Sequence, residues 1–209
     1  MHPIDKPSFF NKSEKILKEI YAQVNNKKKR GTSPEPRKKS KLPLTNSRID
    51  PNVQGVPLDY SFRKADTLEE LKNDTPREYR VGVPKKTSSG KFISSSLWVN
   101  YNNLTDLRSI HSLVKVSFSK PEMIGWLDVS FNSIEIISND LLQLKNLKIL
   151  YLHGNQIKFF IEVTKLKSLK LLKTLTLHGN PIEENPIYRS TVIKTLPNLI
   201  NFDFSVVTK

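Results

Sequence analysis

The tetrapeptide Leu-His-Gly-Asn occurs twice, at residues 152–155 and 177–180, and sets His153 and His178 at equivalent places 25 residues apart. On neighbouring strands two such imidazoles would stand about 5 Å apart, close enough to begin a zinc site or to form a pH-sensitive contact. Zinc needs a third and a fourth ligand, and only Asp128 or Asp203 at the diagonal is in register, so no metal is expected and two solvated histidines are the simpler reading. The chain has no cysteine, which removes thiol nucleophiles, disulfides and zinc ribbons and fits a reducing compartment. It has no glycine-rich phosphate loop and no nucleophile elbow, so no catalytic residue and no cofactor is expected. Contact chemistry remains: Trp98, Trp126 and Tyr151 are large side chains of the kind that anchors protein interfaces.

The elements that hold these residues are visible as a repeat. The template L-x-x-L-x-L-x-x-N-x-[IL] aligns four times, on Asn102 (LWVNYNNL), Asn132 (LDVSFNSI), Asn155 (LYLHGNQI) and Asn180 (LTLHGNPI), at spacings of 30, 23 and 25 residues. A fifth, degenerate copy at Leu199, Phe202 and Phe204 has Val207 in place of the asparagine. This is the leucine-rich-repeat signature. In each copy a short strand turns two aliphatic side chains inward, Leu97 and Val99, Leu127 and Val129, Leu150 and Leu152, Leu175 and Leu177, and its alternate residues outward. Asn102, Asn132, Asn155 and Asn180 should then form a structural ladder, because an amide side chain can satisfy backbone groups buried where the chain bends. Period-three apolar residues on the return path (Ile134, Ile137, Leu141, Leu144, Leu147, then Ile157, Phe160, Val163, Leu166, Leu169) predict 3₁₀ turns on the convex side, and the longer first repeat has room for a helix with Leu107, Ile110, Leu113 and Val114 inward.

The register names the outward columns. One holds Ser96, Trp126, Ile149, Thr174 and Asn201; the next Trp98, Asp128, Tyr151, Thr176 and Asp203; the third Asn100, Ser130, His153, His178 and Ser205. Rigid strands that present an array of side chains to one ligand make the concave face of a solenoid its usual binding surface. The expected partner-binding set is Trp98, Asn100, Trp126, Asp128, Ser130, Tyr151, His153, Thr176, His178 and Asp203, with Trp98, Trp126 and Tyr151 as the anchor. A solenoid also needs capped ends. Residues 55–92 are assigned to the N-terminal cap, with 56–62 extended and a capping box at Asp66-Thr67-Leu68-Glu69. Residues 93–184 carry the repeats, and 185–209 the C-terminal cap, a helix with Asn185 at its N-cap, Pro186 at its first position and Ile187, Tyr188, Thr191, Val192 and Leu196 facing inward.

The formal charge of +14 is unevenly placed. Residues 1–50 hold 13 basic and 5 acidic side chains, whereas residues 93–209 hold 13 and 9. Lys27, Lys28, Lys29, Arg30, Arg37, Lys38, Lys39 and Lys41 lie in a run without a large apolar side chain, so residues 1–54 read as a mostly disordered basic extension. Within it, residues 13–24 place Ile16, Leu17, Ile20, Tyr21 and Val24 on one stripe of a short amphipathic helix. The basic run resembles a bipartite nuclear-import signal, and it could equally attract the acidic tails of tubulin or remain a solvated linker. No aromatic residue interrupts it, which argues against base stacking and makes nucleic acid a poor partner. The N-terminus lacks a signal-peptide core and no apolar run approaches membrane-spanning length, so neither secretion nor insertion is expected.

The segments VPLDYSF (56–62), SLWVNYNNL (96–104), LDVSFN (127–132), LYLHGN (150–155), LTLHGNPIEE (175–184) and FDFSVVTK (202–209) resemble the leucine-rich repeat-containing protein 51 family, within the short-repeat class that includes the phosphatase-1 regulatory subunit. The resemblance covers 56–209 and implies a non-enzymatic cytoplasmic scaffold with ciliary or flagellar associations. The expectation is an α/β repeat fold: a right-handed solenoid of about five short parallel strands, a helical or 3₁₀ convex side and two caps, monomeric when free. It would bind an unidentified protein, axonemal or tubulin-containing, on its concave face. The alternative is a nuclear adaptor of the spliceosomal-repeat kind, imported through residues 27–41.

Overall fold

Strands of two or three residues succeed one another across a single sheet in chain order: β1 (Leu58–Asp59), β2 (Ser96–Trp98), β3 (Trp126–Asp128), β4 (Ile149–Tyr151), β5 (Thr174–Thr176), β6 (Asn201–Phe202) and β7 (Ser205–Val206). They belong to a computed structural model that describes residues 56–78 and 82–208; all of these lie in the unit Asn46–Lys209. The stripe over 13–24 and the basic residues from Lys27 to Lys41 are outside the described residues. β1 to β6 pair in parallel, and β7 returns antiparallel to β6. Among the described residues the parallel strands therefore number six, where the repeat predicted about five.

The additional strand comes from the N-terminal cap, which is itself a disguised repeat. Leu58 pairs with Leu97, and Leu58 and Tyr60 are buried where later repeats bury Leu-x-Val or Leu-x-Leu. Arg63 then occupies the ladder position. It has no amide to offer, and its backbone N–H instead donates to Asn102 Oδ1 at 2.9 Å. The expected capping box at residues 66–69 does not form, and the turn that follows has no side-chain cap. Thr67 Oγ1 donates to Glu70 Oε1 at 2.9 Å, Glu70 Oε2 accepts from Asp66 N–H, and a 3₁₀ turn rather than an α-helix follows over Glu70–Asn73. Glu69, the residue expected in the box, pairs with Lys72.

The asparagines are where the spacing requires them. Asn155 is buried, its Oδ1 accepts the Ile134 N–H at 3.0 Å, and its Nδ2 donates to Val129 O at 3.0 Å and Leu152 O at 2.9 Å. Asn132 and Asn180 repeat the pattern one turn earlier and later, through Leu104 N–H and Val99 O, and through Ile157 N–H and Leu152 O. Each side chain thus satisfies groups on its own turn and the preceding one, which locks the stacking period. The inward residues form one continuous core, with Leu97, Leu127, Leu150 and Leu175 fully buried. Burying each contributes about 1.5–3 kcal/mol.

On the return path helix α1 (Ile110–Ser117) fills the long first repeat as predicted, with Ile110, Leu113 and Val114 buried. The second repeat turns through 3₁₀ at Leu141–Gln143. The third departs from expectation: it forms helix α2 (Phe160–Lys165) before its 3₁₀ turn. A buried carboxylate accompanies that change. Glu162 Oε2 accepts the Ile137 N–H at 2.7 Å and pairs with Lys165 Nζ at 2.6 Å, so a backbone donor of the preceding turn is satisfied from the side.

The C-terminal cap differs in two respects from its prediction. Helix α3 (Tyr188–Thr195) starts later than Asn185, which instead closes a turn by accepting Ile187 N–H on Oδ1 and Tyr188 N–H on its carbonyl. Ile187 is consequently exposed, and the buried stripe is Tyr188, Val192 and Leu196. Phe204, expected inside as part of a fifth repeat, is 64% exposed. Asp203 and Phe204 both have positive φ, 48° and 59°, and form the two-residue loop between β6 and β7. The hairpin takes Ser205 out of the third column and pairs it with Phe202. Val207 stays partly buried against the core.

Candidate functional site on the concave sheet

Parallel pairing sets Asp59, Trp98, Asp128, Tyr151 and Thr176 side by side in one column and Ser96, Trp126, Ile149, Thr174 and Asn201 in the next. The anchor aromatics do meet. Trp98 and Trp126 lie edge-to-face with centroids 5.2 Å apart, and Trp126 and Tyr151 lie edge-to-face at 5.7 Å. Phe204 reaches back over the same surface to within 5.5 Å of Tyr151, 5.7 Å of His153 and 5.6 Å of His178.

A second aromatic column was not foreseen. The residue before each ladder position takes a left-handed conformation, and in the first turns it is Phe62, Tyr101 and Phe131, with φ of 59°, 54° and 53°. Their rings stack face to face, Phe62 on Tyr101 and Tyr101 on Phe131, each at 4.4 Å, close to the spacing of the strands beneath. In the next turns the position is Gly154 and then Gly179. A Cβ on Gly154 would lie 2.7 Å from Phe131 Cδ1, so the glycine makes room for the last ring of the stack. The signal was in the sequence: Tyr-Asn, Phe-Asn and Gly-Asn recur at one repeat position, a set that shares tolerance of crowding rather than hydrophobicity.

Several residues expected to face a partner are occupied within the fold. Thr176 is fully buried and Ser130 is almost so. Asp128 Oδ1 accepts from the Ser130 N–H at 2.9 Å and the Ser130 hydroxyl at 2.6 Å, an arrangement Asp59 repeats with the Ser61 N–H at 2.8 Å. Burial raises the Asp128 carboxyl to about 6 against those hydrogen bonds, and the charge of Asp59 adds to the rise. Asp203 accepts the Leu177 and His178 N–H groups at 2.7 and 3.0 Å and the Tyr188 hydroxyl at 2.7 Å. Burial opposes its charge, but the hydrogen bonds from the His178 ring, these N–H groups and Tyr188 outweigh it and hold the carboxyl below its usual range.

The histidines are not two independent solvated rings. They stack at 4.7 Å with planes 10° apart; His153 Nδ1 lies 2.8 Å from Thr176 Oγ1, and His178 Nδ1 lies 3.3 Å from Asp203 Oδ1. Burial, with the neighbouring His178, lowers His153 to about 4, and Asp203 only partly offsets this. Among the described residues no group of three His, Cys, Asp or Glu side chains is placed to hold a metal ion. Three buried polar atoms of the face, Ser96 Oγ, Asn100 Oδ1 and Trp126 Nε1, have no hydrogen-bond partner among the described residues.

No family model matches the chain. Among solved structures it is similar to the Drosophila melanogaster SNF/U2A′ complex (TM-score 0.48, 22% identity, 64% of this chain and 72% of that one) and to the Mex67 leucine-rich-repeat domain of Chaetomium thermophilum (TM-score 0.44, 24% identity, 49% and 74%). Its sequence is 46% identical to leucine-rich repeat-containing protein 51 of Bos taurus and 44% identical to that of Homo sapiens, in each case over 161 residues, 77% of this chain and 83% of the relative. With a relative of that identity covered over that share of its length, the chain belongs to the leucine-rich repeat-containing protein 51 family.

Proposed function

We propose that this protein is a non-enzymatic scaffold that binds a protein partner on the concave sheet, around Trp98, Trp126, Tyr151 and Phe204. One observation carries the reading: a rigid parallel sheet holds these rings in mutual contact on one face, beside a buried Trp126 N–H and a buried Asn100 side-chain carbonyl oxygen that have no partner among the described residues. Preorganised aromatics cost little entropy to bury again, and an orphaned donor and acceptor favour a ligand that supplies the missing hydrogen bonds. The setting we propose is a ciliary, flagellar or microtubule-associated assembly in the cytoplasm. The basic residues between Lys27 and Lys41 would add salt-sensitive attraction to an acidic surface there.

The test is to purify the full chain with its bound proteins from ciliated cells, as wild type and as Trp98→Ala with Tyr151→Ala. The expected result is loss of the main partner with an unchanged circular dichroism spectrum. Retention of that partner would remove the concave face from the proposal. Deleting residues 1–54 tests the setting: a ciliary scaffold keeps its compartment, whereas a nuclear adaptor that depends on residues 27–41 moves to the cytoplasm.

A further inference from the structure

A groove of about 330 Å³ opens on the other side of the last repeats from the aromatic columns, between the segment after α2 and the end of α3. Its inner lining is leucine, from Leu166, Leu169 and Leu172 on one side and Leu196 and Leu199 on the other. Its exposed lining is Lys167, Lys170 and Lys194 with Pro197 and Asn198, so every charge on it is positive. None of the three has an ion-pair partner among the described residues, and no acidic side chain lines the groove. The contrast with nearby Lys165 is informative, because that lysine is bound to Glu162 at 2.6 Å. Between Val163 and Ile182 the chain has four lysines and no acid, and of the three left once Lys165 is paired, Lys167 and Lys170 line this groove. The two walls are tied together: Leu169 and Leu199 are core residues, and Asn198 Nδ2 reaches Lys170 O.

We infer that this groove is a second docking site, for an acidic peptide segment of a protein partner that inserts one aliphatic side chain between the lysines. Three cations around a leucine-lined recess complement carboxylates flanking an apolar residue, and held charges of one sign raise the local concentration of the other. The apolar recess distinguishes this occupant from a polyanion that would contact the lysines alone. The site is separate from the aromatic face, so a scaffold would hold two partners, or two parts of one.

The probe is a fluorescein-labelled decapeptide of glutamate with one central leucine, titrated by anisotropy at about 0.1 M salt. Because residues 27–41 would attract the same peptide, the host is the full chain with the eight basic residues of that run changed to glutamine. Lys167→Glu, Lys170→Glu and Lys194→Glu together are expected to weaken binding at least about tenfold. The concave pair Trp98→Ala and Tyr151→Ala should leave it unchanged, and replacing the peptide's leucine with serine should weaken it several-fold. If the triple variant loses its circular dichroism spectrum, Lys170→Glu alone is read, with about a threefold loss expected. The inference is overturned if the host does not bind, if groove variants bind as the host does, or if the serine peptide binds as well as the leucine peptide. None of those outcomes bears on the concave face.

Discussion

Along the edge of the sheet the first three turns carry Phe62, Tyr101 and Phe131 and the next two carry Gly154 and Gly179, although all five positions share one left-handed backbone conformation. Glycine is the low-cost residue there, and an aromatic side chain pays for the conformation with strain. The first turns recover that cost by stacking at 4.4 Å, and they bring three rings to the margin of the concave face. In the later turns Gly154 leaves room for the Phe131 ring and Gly179 for the Gly154 backbone, and the face beside them carries Phe204 with His153 and His178, whose rings lie against Thr176 and Asp203. One scaffold thus presents an apolar half and a titratable half, and the asparagine ladder is what the two share.

The largest expected effect is on that shared frame. Asn155→Ala leaves the Ile134 N–H and two carbonyls without their buried partner and should cost about 3–5 kcal/mol in urea unfolding. Asn132→Ala, in the aromatic half, should cost about the same. A difference of more than about 2 kcal/mol between them would show that the halves are stabilised by different means. The next effect tests the boundary. Gly154→Ala adds a Cβ 2.7 Å from Phe131 Cδ1 at φ +67° and should destabilise by about 2 kcal/mol. In a double-mutant cycle Phe131→Ala should remove the steric part and leave only the backbone part. Additive effects would separate the aromatic stack from the glycine turn.

How far the sequence disclosed these features follows from the kind of order each requires. The strands, the ladder and the inward leucines recur with fixed spacing, and periodic burial is what a sequence pattern encodes. Leu58 and Tyr60 form a repeat that the template missed because Arg63 replaces the asparagine and uses its backbone instead of an amide. Phe204 looked like a core residue because the template continues through it, but the Asp203-Phe204 loop reverses the chain before a further turn can form. Thr176 and Ser130 were assigned outward by alternation, which fixes direction and not exposure. The lysine groove brings together residues from two segments that share no motif, so only the packing of α2 and α3 reveals it.

Each half should have its own pH signature, from Asp128 in the turn of Phe131 and from His153 in the turn of Gly154. Asp128 in the folded chain titrates near 6, above its ordinary 3.8, so the folded state holds its proton more tightly than the unfolded one. This carboxyl's contribution to stability is therefore full below about pH 4 and is lost as pH rises through 6. His153, lowered to about 4, acts in the opposite sense: the unfolded chain binds its proton first, so stability falls as pH drops from about 6.5 towards 4. Asp128→Asn removes the first slope and keeps an oxygen to accept the Ser130 N–H. It should stabilise the protein by about 1 kcal/mol at pH 7 and by nothing at pH 4. An equal change at both pH values would mean that burial of the charge is not what the substitution relieves.

The smallest effect isolates the strain that separates the halves. Phe131→Ala and Phe131→Gly remove the same ring from between Tyr101 and His153, so the loss of stacking is common to both. They differ at the backbone, where φ is +53°. Elsewhere in a fold glycine is the less stable choice by about 0.5–1 kcal/mol, because it loses more chain entropy on folding. At this position alanine pays a left-handed penalty of about 1–2 kcal/mol that glycine does not, and the order should reverse. Phe131→Gly is therefore expected to be more stable than Phe131→Ala by about 0.5–1 kcal/mol in paired urea titrations. If alanine proved the more stable, the turn would have relaxed out of the left-handed region once the ring was gone. The stack would then be holding the backbone in that conformation, rather than the backbone presenting the stack.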